Sequence, residues 1–229
     1  MNKKISPLFI SLALLYAFFV FTLSTVLASP TSNLTQTISA GTLSVDIVDG
    51  SYVAVGSPSV ALAAQTFSFA CQSSTGTLGT ASQQIYVKNP DAADSGWTLS
   101  IAASSTTDLW DSAGTDFDFN DPGTSGCVDD GATTDVDSLG GQMTINASVG
   151  TLAAGACSSC GVTGITKGTS SAFVEGTTNS ITLLSAANTS DDIGDWTLQG
   201  VSISQTIPGE QPAASDYDIN LVVSIVAAS

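Results

Sequence analysis

Nine aspartates between positions 108 and 137, with no lysine or arginine among them, are the residues whose type and spacing point most directly to chemistry. Four oxygen-bearing residues have the opening spacing of an EF-hand-type calcium loop: Asp116, Asp118, Asn120 and Asp121. The sixth position of such a loop lacks its glycine, and the twelfth carries Cys127 instead of glutamate. The spacing predicts a calcium site. The alternative is a strand or loop with an acidic face in solvent, since Phe117 and Phe119 alternate with the acids.

The cysteines form a second group, and there are four of them: Cys71, Cys127, Cys157 and Cys160. An even number in a chain with export features predicts two disulfides, and three pairings are open. The close spacing of Cys157 and Cys160 also occurs in redox pairs and in zinc sites. No helix pattern follows it, however, and no second close pair accompanies it. We therefore expect structural disulfides, with a redox pair and a zinc site as the alternatives.

Missing residue types exclude several functions. The chain has no histidine, and all four of its cations are lysines. A Ser-His-Asp triad, a histidine metal ligand and a bidentate arginine clamp on phosphate are therefore ruled out. A formal charge of −16 opposes binding to nucleic acid, whose affinity depends on cationic contacts to phosphate. Carboxylate pairs could serve a secreted carbohydrate-active enzyme, but no spacing selects one pair among many. We expect a protein that is not an enzyme.

The N-terminus has the pattern of a secretory signal. Two lysines at positions 3 and 4 precede an apolar run of residues 5–27, and Val26-Leu27-Ala28 offers a signal-peptidase site. Cleavage after Ala28 would remove residues 1–28 and leave no membrane span. The alternative is an uncleaved anchor, because the run is long enough to cross a bilayer. Both interpretations predict a secreted or cell-surface protein.

After residue 40 the dominant pattern is alternation of apolar and polar residues, which predicts an all-β protein. The expected strands lie at 43–47, 52–55, 67–71, 85–87, 97–101, 143–145, 181–183, 196–198, 201–203 and 217–225. Turn-forming residues separate them, which favours a β-sandwich, Ig-like or jelly-roll, of about nine or ten strands. Residues 105–140 carry little alternation and are expected to form one long acidic inserted loop. An Ala-rich stretch at 58–65 is compatible with a short helix.

No linker divides the chain after residue 40, so residues 41–229 are expected to form a single domain. Residues 29–40 would then be an N-terminal leader, with weak alternation at Leu34 and Ile38. Such a segment could add as a strand to a neighbour's sheet edge, and the alternative is a flexible polar leader. Among the tryptophans, Trp97 and Trp196 are expected in the core, while Trp110 is the candidate for an exposed platform.

Three patches resemble the WxL surface domains of Gram-positive bacteria. Gly96-Trp97-Thr98-Leu99-Ser100-Ile101 is similar to their first Trp-x-Leu motif, 207–217 to their last hairpin, and 41–45 to their first strand. Trp196-Thr197-Leu198 lies one strand earlier than the family's second motif. The resemblance implies a non-catalytic surface protein whose partner is cell-wall glycan.

A looser likeness links the chain to the camelysin and TasA group of secreted fibre-forming proteins, through the export signal, the early strand and the turn before Trp97. Residues 3–8 also resemble the start of archaeal type IV pilins, which polymerise through an N-terminal apolar helix. These likenesses imply neighbouring surface-protein subunits as partners. We therefore expect an exported structural or binding protein that acts by adhesion, wall association or assembly.

Overall fold

The computed structural model describes residues 35–91, 94–131 and 137–228. The expected signal peptide, residues 1–28, and the leader as far as Leu34 lie outside these residues. Residues 35–38 belong to an N-terminal unit and have no regular secondary structure. Ser39–Ser229 form one compact unit.

Within the described ranges the chain forms twelve strands and one short 3-10 helix, Gly123–Ser125. The strands are β1 (Ser44–Val48), β2 (Gln72–Leu78), β3 (Gln84–Asn89), β4 (Trp97–Ala103), β5 (Gln142–Asn146), β6 (Thr151–Ala154), β7 (Ile165–Lys167), β8 (Ser170–Ala172), β9 (Ile181–Ala186), β10 (Gly194–Gln199), β11 (Val201–Ile207) and β12 (Leu221–Ala227). They pair in three antiparallel four-stranded sheets, ordered β1-β3-β10-β6, β2-β11-β5-β8 and β12-β4-β9-β7. The predicted all-β fold is confirmed, and the arrangement agrees with a β-sandwich.

The first two sheets adjoin along three pairs of consecutive strands, β2–β3, β5–β6 and β10–β11. Leu78 at the end of β2 is opposite Val201, and Ile85 in β3 is opposite Leu198, so the same two chain segments pair in both sheets. The strand pairs β5–β6 and β10–β11 continue in the same way, and Gly200, with a φ of 75°, joins the latter two. The described ranges thus hold more strands than the nine or ten expected: β2, β6, β7 and β8 were not predicted, whereas residues 52–55 and 67–71 form no strand.

One apolar core unites residues from all three sheets. At its centre the rings of Trp97 and Trp196, both fully buried, lie 5.4 Å apart. Each indole N–H donates to a backbone oxygen, Trp97 to Asp192 at 3.1 Å and Trp196 to Gly161 at 2.6 Å. Both tryptophans are therefore structural, as their alternation with apolar neighbours predicted.

Several expected elements differ from the structure. Residues 67–71 are not a strand: Phe67 and Phe69 are exposed, and β2 begins only at Gln72. The sequence of β2 is rich in serine and threonine and shows no apolar alternation. Backbone pairing with β11 holds this strand in place instead. Residues 58–65 have no regular secondary structure, so the short helix is absent, and residues 52–55 contribute a single bridge, between Val48 and Ala54.

The segment 105–140 contains no regular strand in its described part, as expected, but it is not a peripheral loop. Phe119 belongs to the core and packs edge-to-face on Phe173, with ring centroids 5.3 Å apart. Its backbone oxygen accepts a hydrogen bond from the N–H of Met143 at 2.6 Å. Phe117 is also buried. The interpretation as a strand or loop with an acidic face in solvent does not fit Asp118 and Asp121, which are both buried, while Asp116 is half-buried.

Two disulfides are present, as predicted. Cys71–Cys127 joins the start of β2 to the inserted segment across 56 positions, and Cys157–Cys160 closes a tight turn between β6 and β7. The described part of the chain has no free cysteine, so the zinc alternative, which requires thiolates, does not fit this arrangement. Disulfides of this kind are typical of oxidising compartments.

Candidate functional site

Strand β12 is the edge of its sheet, and β1 approaches it without pairing to it. It pairs with β4 on one side, and no strand of the described ranges pairs with its other side. It is seven residues long, has no charged residue or proline, and exposes Val222 and Val226. Natural proteins usually protect such edges with charges, bulges or covering segments, because an open apolar edge pairs with other chains.

The core-facing side of β12 is also incompletely covered. Leu221, Val223 and Ile225 point inward but are only half-buried. The corresponding residues of the adjacent β4, such as Leu99 and Ile101, are fully buried. Because the two strands are neighbours in one sheet, this difference indicates that β12 is less covered than β4, although β1 approaches it.

Two edge strands of the facing sheets, β1 and β2, each carry a further hydrogen-bonded segment. Beyond β1, the N–H of Val55 donates to the oxygen of Ile47 at 2.9 Å, so the chain after the hairpin shields this strand. Beyond β2, the N–H of Ala63 donates to the oxygen of Thr75 at 2.8 Å. We refer to the segment that shields β2, residues 58–65, as the strap.

Between β12 and the strap the sandwich opens into a cleft of about 350 Å³. Its floor includes three buried core residues, Ile101, Met143 and Ile203. Its two walls carry apolar side chains from the strap and from β12: Val60, Leu62, Leu221 and Val223. The cleft thus leads from solvent to the hydrophobic core, between the strap and the edge strand β12, and Ile47 of β1 also lines it.

Trp110 is not an exposed platform, contrary to expectation. It is half-buried, lines the cleft, and stacks on Phe117 with ring centroids 5.8 Å apart. Its Nε1 is buried and has no hydrogen-bond partner in the described part of the protein. Trp110 therefore belongs to the wall of the cleft rather than to a flat surface on which a sugar could stack.

The four residues of the predicted calcium site bond to separate parts of the backbone. Asp116 accepts from the N–H of Ser112 at 3.0 Å. The Oδ1 of Asp118 accepts from the N–H of Asn120 at 3.2 Å, and the side-chain amide of Asn120 donates to the oxygen of Thr106.

The fourth residue, Asp121, accepts from the N–H groups of Gly123 and Asp130 at 2.7 and 3.1 Å. Burial raises the pKa of Asp121, although these two N–H groups act in the opposite direction. The described residues contain no group of three or more carboxylates or cysteines arranged to hold a metal ion. Calcium binding stays a prediction.

A different acidic cluster lies at the rim of the cleft. Asp111 and Asp218 are opposite each other in a β-bridge, and Asp218 lines the cleft. The charges of Asp116, Asp218 and Asp216 raise the pKa of Asp111, with Asp116 the largest cause. Close carboxylates from two distant parts of the sequence therefore give the rim a negative potential.

The apolar alternation of residues 217–225 predicts a regular strand and gives no indication of an open edge. A second feature does indicate one: six of the seven residues from Leu221 to Ala227 are apolar, on both faces of the strand. A strand with one solvated face normally alternates. Apolar residues on both faces indicate either a central strand or an edge that acquires a neighbour.

No family model, no curated protein and no solved structure matches this chain. Across the described ranges, none of the helices has the length and apolar character needed to span a bilayer.

Proposed function

We propose that this chain is an exported, non-catalytic structural subunit that assembles at the cell surface by strand addition. The observation that carries the proposal is the unpaired, uncharged edge of β12 beside a cleft that reaches the core. An added strand would satisfy the backbone groups of β12 and cover Leu221, Val223 and Ile225, which are half-buried in the single chain.

The occupant we propose for the cleft is the leader, residues 29–40, of a neighbouring copy. This segment contains no charged residue, whereas the whole chain has a formal charge of −16. An uncharged segment approaches the acidic rim of a neighbour without the repulsion that other parts of the surface would meet. Fully extended, twelve residues reach about 40 Å, enough to join adjacent subunits.

Two apolar residues of the leader suit the cleft. Leu34 and Ile38 lie an even number of positions apart and would face the same side of an added strand. Ile38 is 86% exposed, so it has most of its apolar surface to bury. Burying two side chains of this size contributes about 3–6 kcal/mol, and pairing of the backbone with β12 adds hydrogen bonds. A carbonyl of the bound strand could also satisfy the N–H of Trp110.

Export is supported by the two disulfides and by the N-terminal pattern of charge and hydrophobicity. Wall association, the function implied by the WxL resemblance, would need a ligand-binding surface. The indoles of Trp97 and Trp196 cannot supply it, because both are fully buried. Assembly therefore accounts for more of the exposed features than glycan binding does.

The proposal is tested with purified residues 29–229 and with the same protein lacking residues 29–40. Sedimentation velocity and negative-stain microscopy should show concentration-dependent polymers for the first protein and monomers for the second. Incubation with purified sacculi provides the contrasting measurement. A protein that stays monomeric and sediments with the sacculi would be a wall-binding module, and the assembly proposal would be rejected.

A further inference from the structure

The strap is held against β2 by few polar contacts. Its only backbone–backbone hydrogen bond to β2 in the described ranges is the one from Ala63 to Thr75, at 2.8 Å. The hydroxyl of Ser74, a buried residue, donates to the oxygen of Ala63 at 2.5 Å. Nearer the start of the strap, the N–H of Ser59 donates to the Oε1 of Gln83 at 2.7 Å. These contacts fix both ends of the strap and leave its apolar middle to be positioned by packing.

Gly76 lies under that middle, in the interior of β2. A Cβ atom at this position would lie 3.1 Å from the oxygen of Ala61, 3.1 Å from Cγ1 of Val60 and 3.3 Å from Cγ of Leu62. These distances are tighter than normal contacts of a Cβ atom. Glycine weakens a strand interior and commonly marks the close approach of another backbone. Here the approaching backbone is the strap.

The position of the strap sets the shape of the cleft. Val60 and Leu62, which rest on Gly76, form one wall, and Leu221 and Val223 of β12 form the other. A side chain at position 76 would meet Val60, Ala61 and Leu62 and displace the strap. Displacement of this wall changes the width available to a bound strand.

We propose that Gly76 is a positioning residue for partner binding, because it seats the strap where Val60 and Leu62 contact the inserted strand of a neighbouring copy. The inference rests on the proposed assembly function and adds a second binding surface to it. The added strand pairs with β12 through its backbone and packs against the strap through its side chains.

The test compares the critical concentration for assembly of residues 29–229 with that of the variants G76V and G56A. Gly56 is the matched control: it lies just before the strap, and a Cβ atom there meets nothing within 4 Å. We expect G76V to raise the critical concentration at least tenfold and G56A to leave it unchanged.

A second pair of variants tests the inference without depending on whether G76V folds. S74A removes the hydroxyl that holds Ala63, whereas S73A removes a hydroxyl that bonds only to Ser204 on the exposed face. We expect faster hydrogen exchange in the strap and weaker assembly for S74A alone. If the unaltered protein never assembles, the proposed function and this inference both fail. If it assembles and G76V and S74A assemble equally well, only the inference is overturned.

Discussion

At the scale of single residues, buried carboxylates and close carboxylate pairs organise the loops around a core of ordinary apolar side chains. Asp192 is the clearest example. Its carboxylate accepts from the N–H of Gly96 at 2.7 Å, and its backbone oxygen accepts from the side chain of Asn89 at 2.7 Å and from Trp97. The sequence predicted that Trp97 is a core residue. It could not predict Asp192 as the partner, because the contact joins positions 95 residues apart.

The acidic cluster at the cleft makes the stability of the protein depend on pH. Because neighbouring carboxylates raise the pKa of Asp111 in the folded state, folding favours its protonated form. The free energy of unfolding therefore increases as pH falls from 7 toward the ordinary aspartate pKa of about 4, because Asp111 becomes protonated and the repulsion disappears. As pH rises again, this stabilisation is lost. D111N should raise the Tm at pH 7, leave it nearly unchanged near pH 4, and flatten the dependence between them.

The measurement is thermal unfolding of the protein without the leader, followed by circular dichroism across this pH range. D46N is the control, since Asp46 is an exposed carboxylate of β1 outside the cluster. A D111N protein that is less stable than the unaltered one at pH 7, or that keeps the full pH dependence, would contradict repulsion as the cause.

At the scale of elements, strands with one buried and one exposed face could be predicted from the sequence, and strands without this contrast could not. Strands with one buried face, such as β4 and β11, alternate clearly and were predicted. Strand β2 was missed because serine, threonine and glycine dominate it, and its place is set by its neighbours. The inserted segment was expected in solvent because of its charge. The burial of Phe119 overrode that charge, since a phenylalanine side chain contributes about 1.5–3 kcal/mol when it is fully buried.

The two disulfides should differ in their effect on stability. Cys71–Cys127 closes a loop across 56 positions and Cys157–Cys160 one across 3. Loop entropy predicts stabilisation of about 4 kcal/mol for the first and about 2 kcal/mol for the second. Replacing both cysteines of each pair by serine should therefore lower the free energy of unfolding roughly twice as much for the first pair. Urea unfolding measures both, and equal losses would show that loop entropy does not govern these bridges.

The edge of β12 should be sensitive to charge without being needed for folding. V222K and V226K place a cation on an exposed position of the edge strand, a device by which natural sheets block association. We expect either variant to abolish assembly and to shift the unfolding free energy by less than about 0.5 kcal/mol. V149K, at an exposed valine between β5 and β6, is the control. Polymers of V222K and V226K as abundant as those of V149K would exclude β12 as the contact.

At the scale of the whole molecule, a high negative charge and an apolar, uncharged edge act in opposite directions. A formal charge of −16 with only four lysines keeps separate copies apart. The edge of β12 and the leader are both uncharged, so contact between copies is least opposed where strand addition would occur. This balance predicts that assembly strengthens as salt screens the repulsion.

The most direct measurement of strand addition is competition by the leader itself. A synthetic peptide of residues 29–40 is added in excess to residues 29–229 during sedimentation velocity, with a peptide of the same composition in scrambled order as the control. Strand addition predicts that the peptide converts polymers to monomers carrying one peptide each, and that the scrambled peptide leaves the polymers intact. Polymers that persist unchanged at saturating peptide, or a protein that neither polymerises nor binds the peptide, would contradict it.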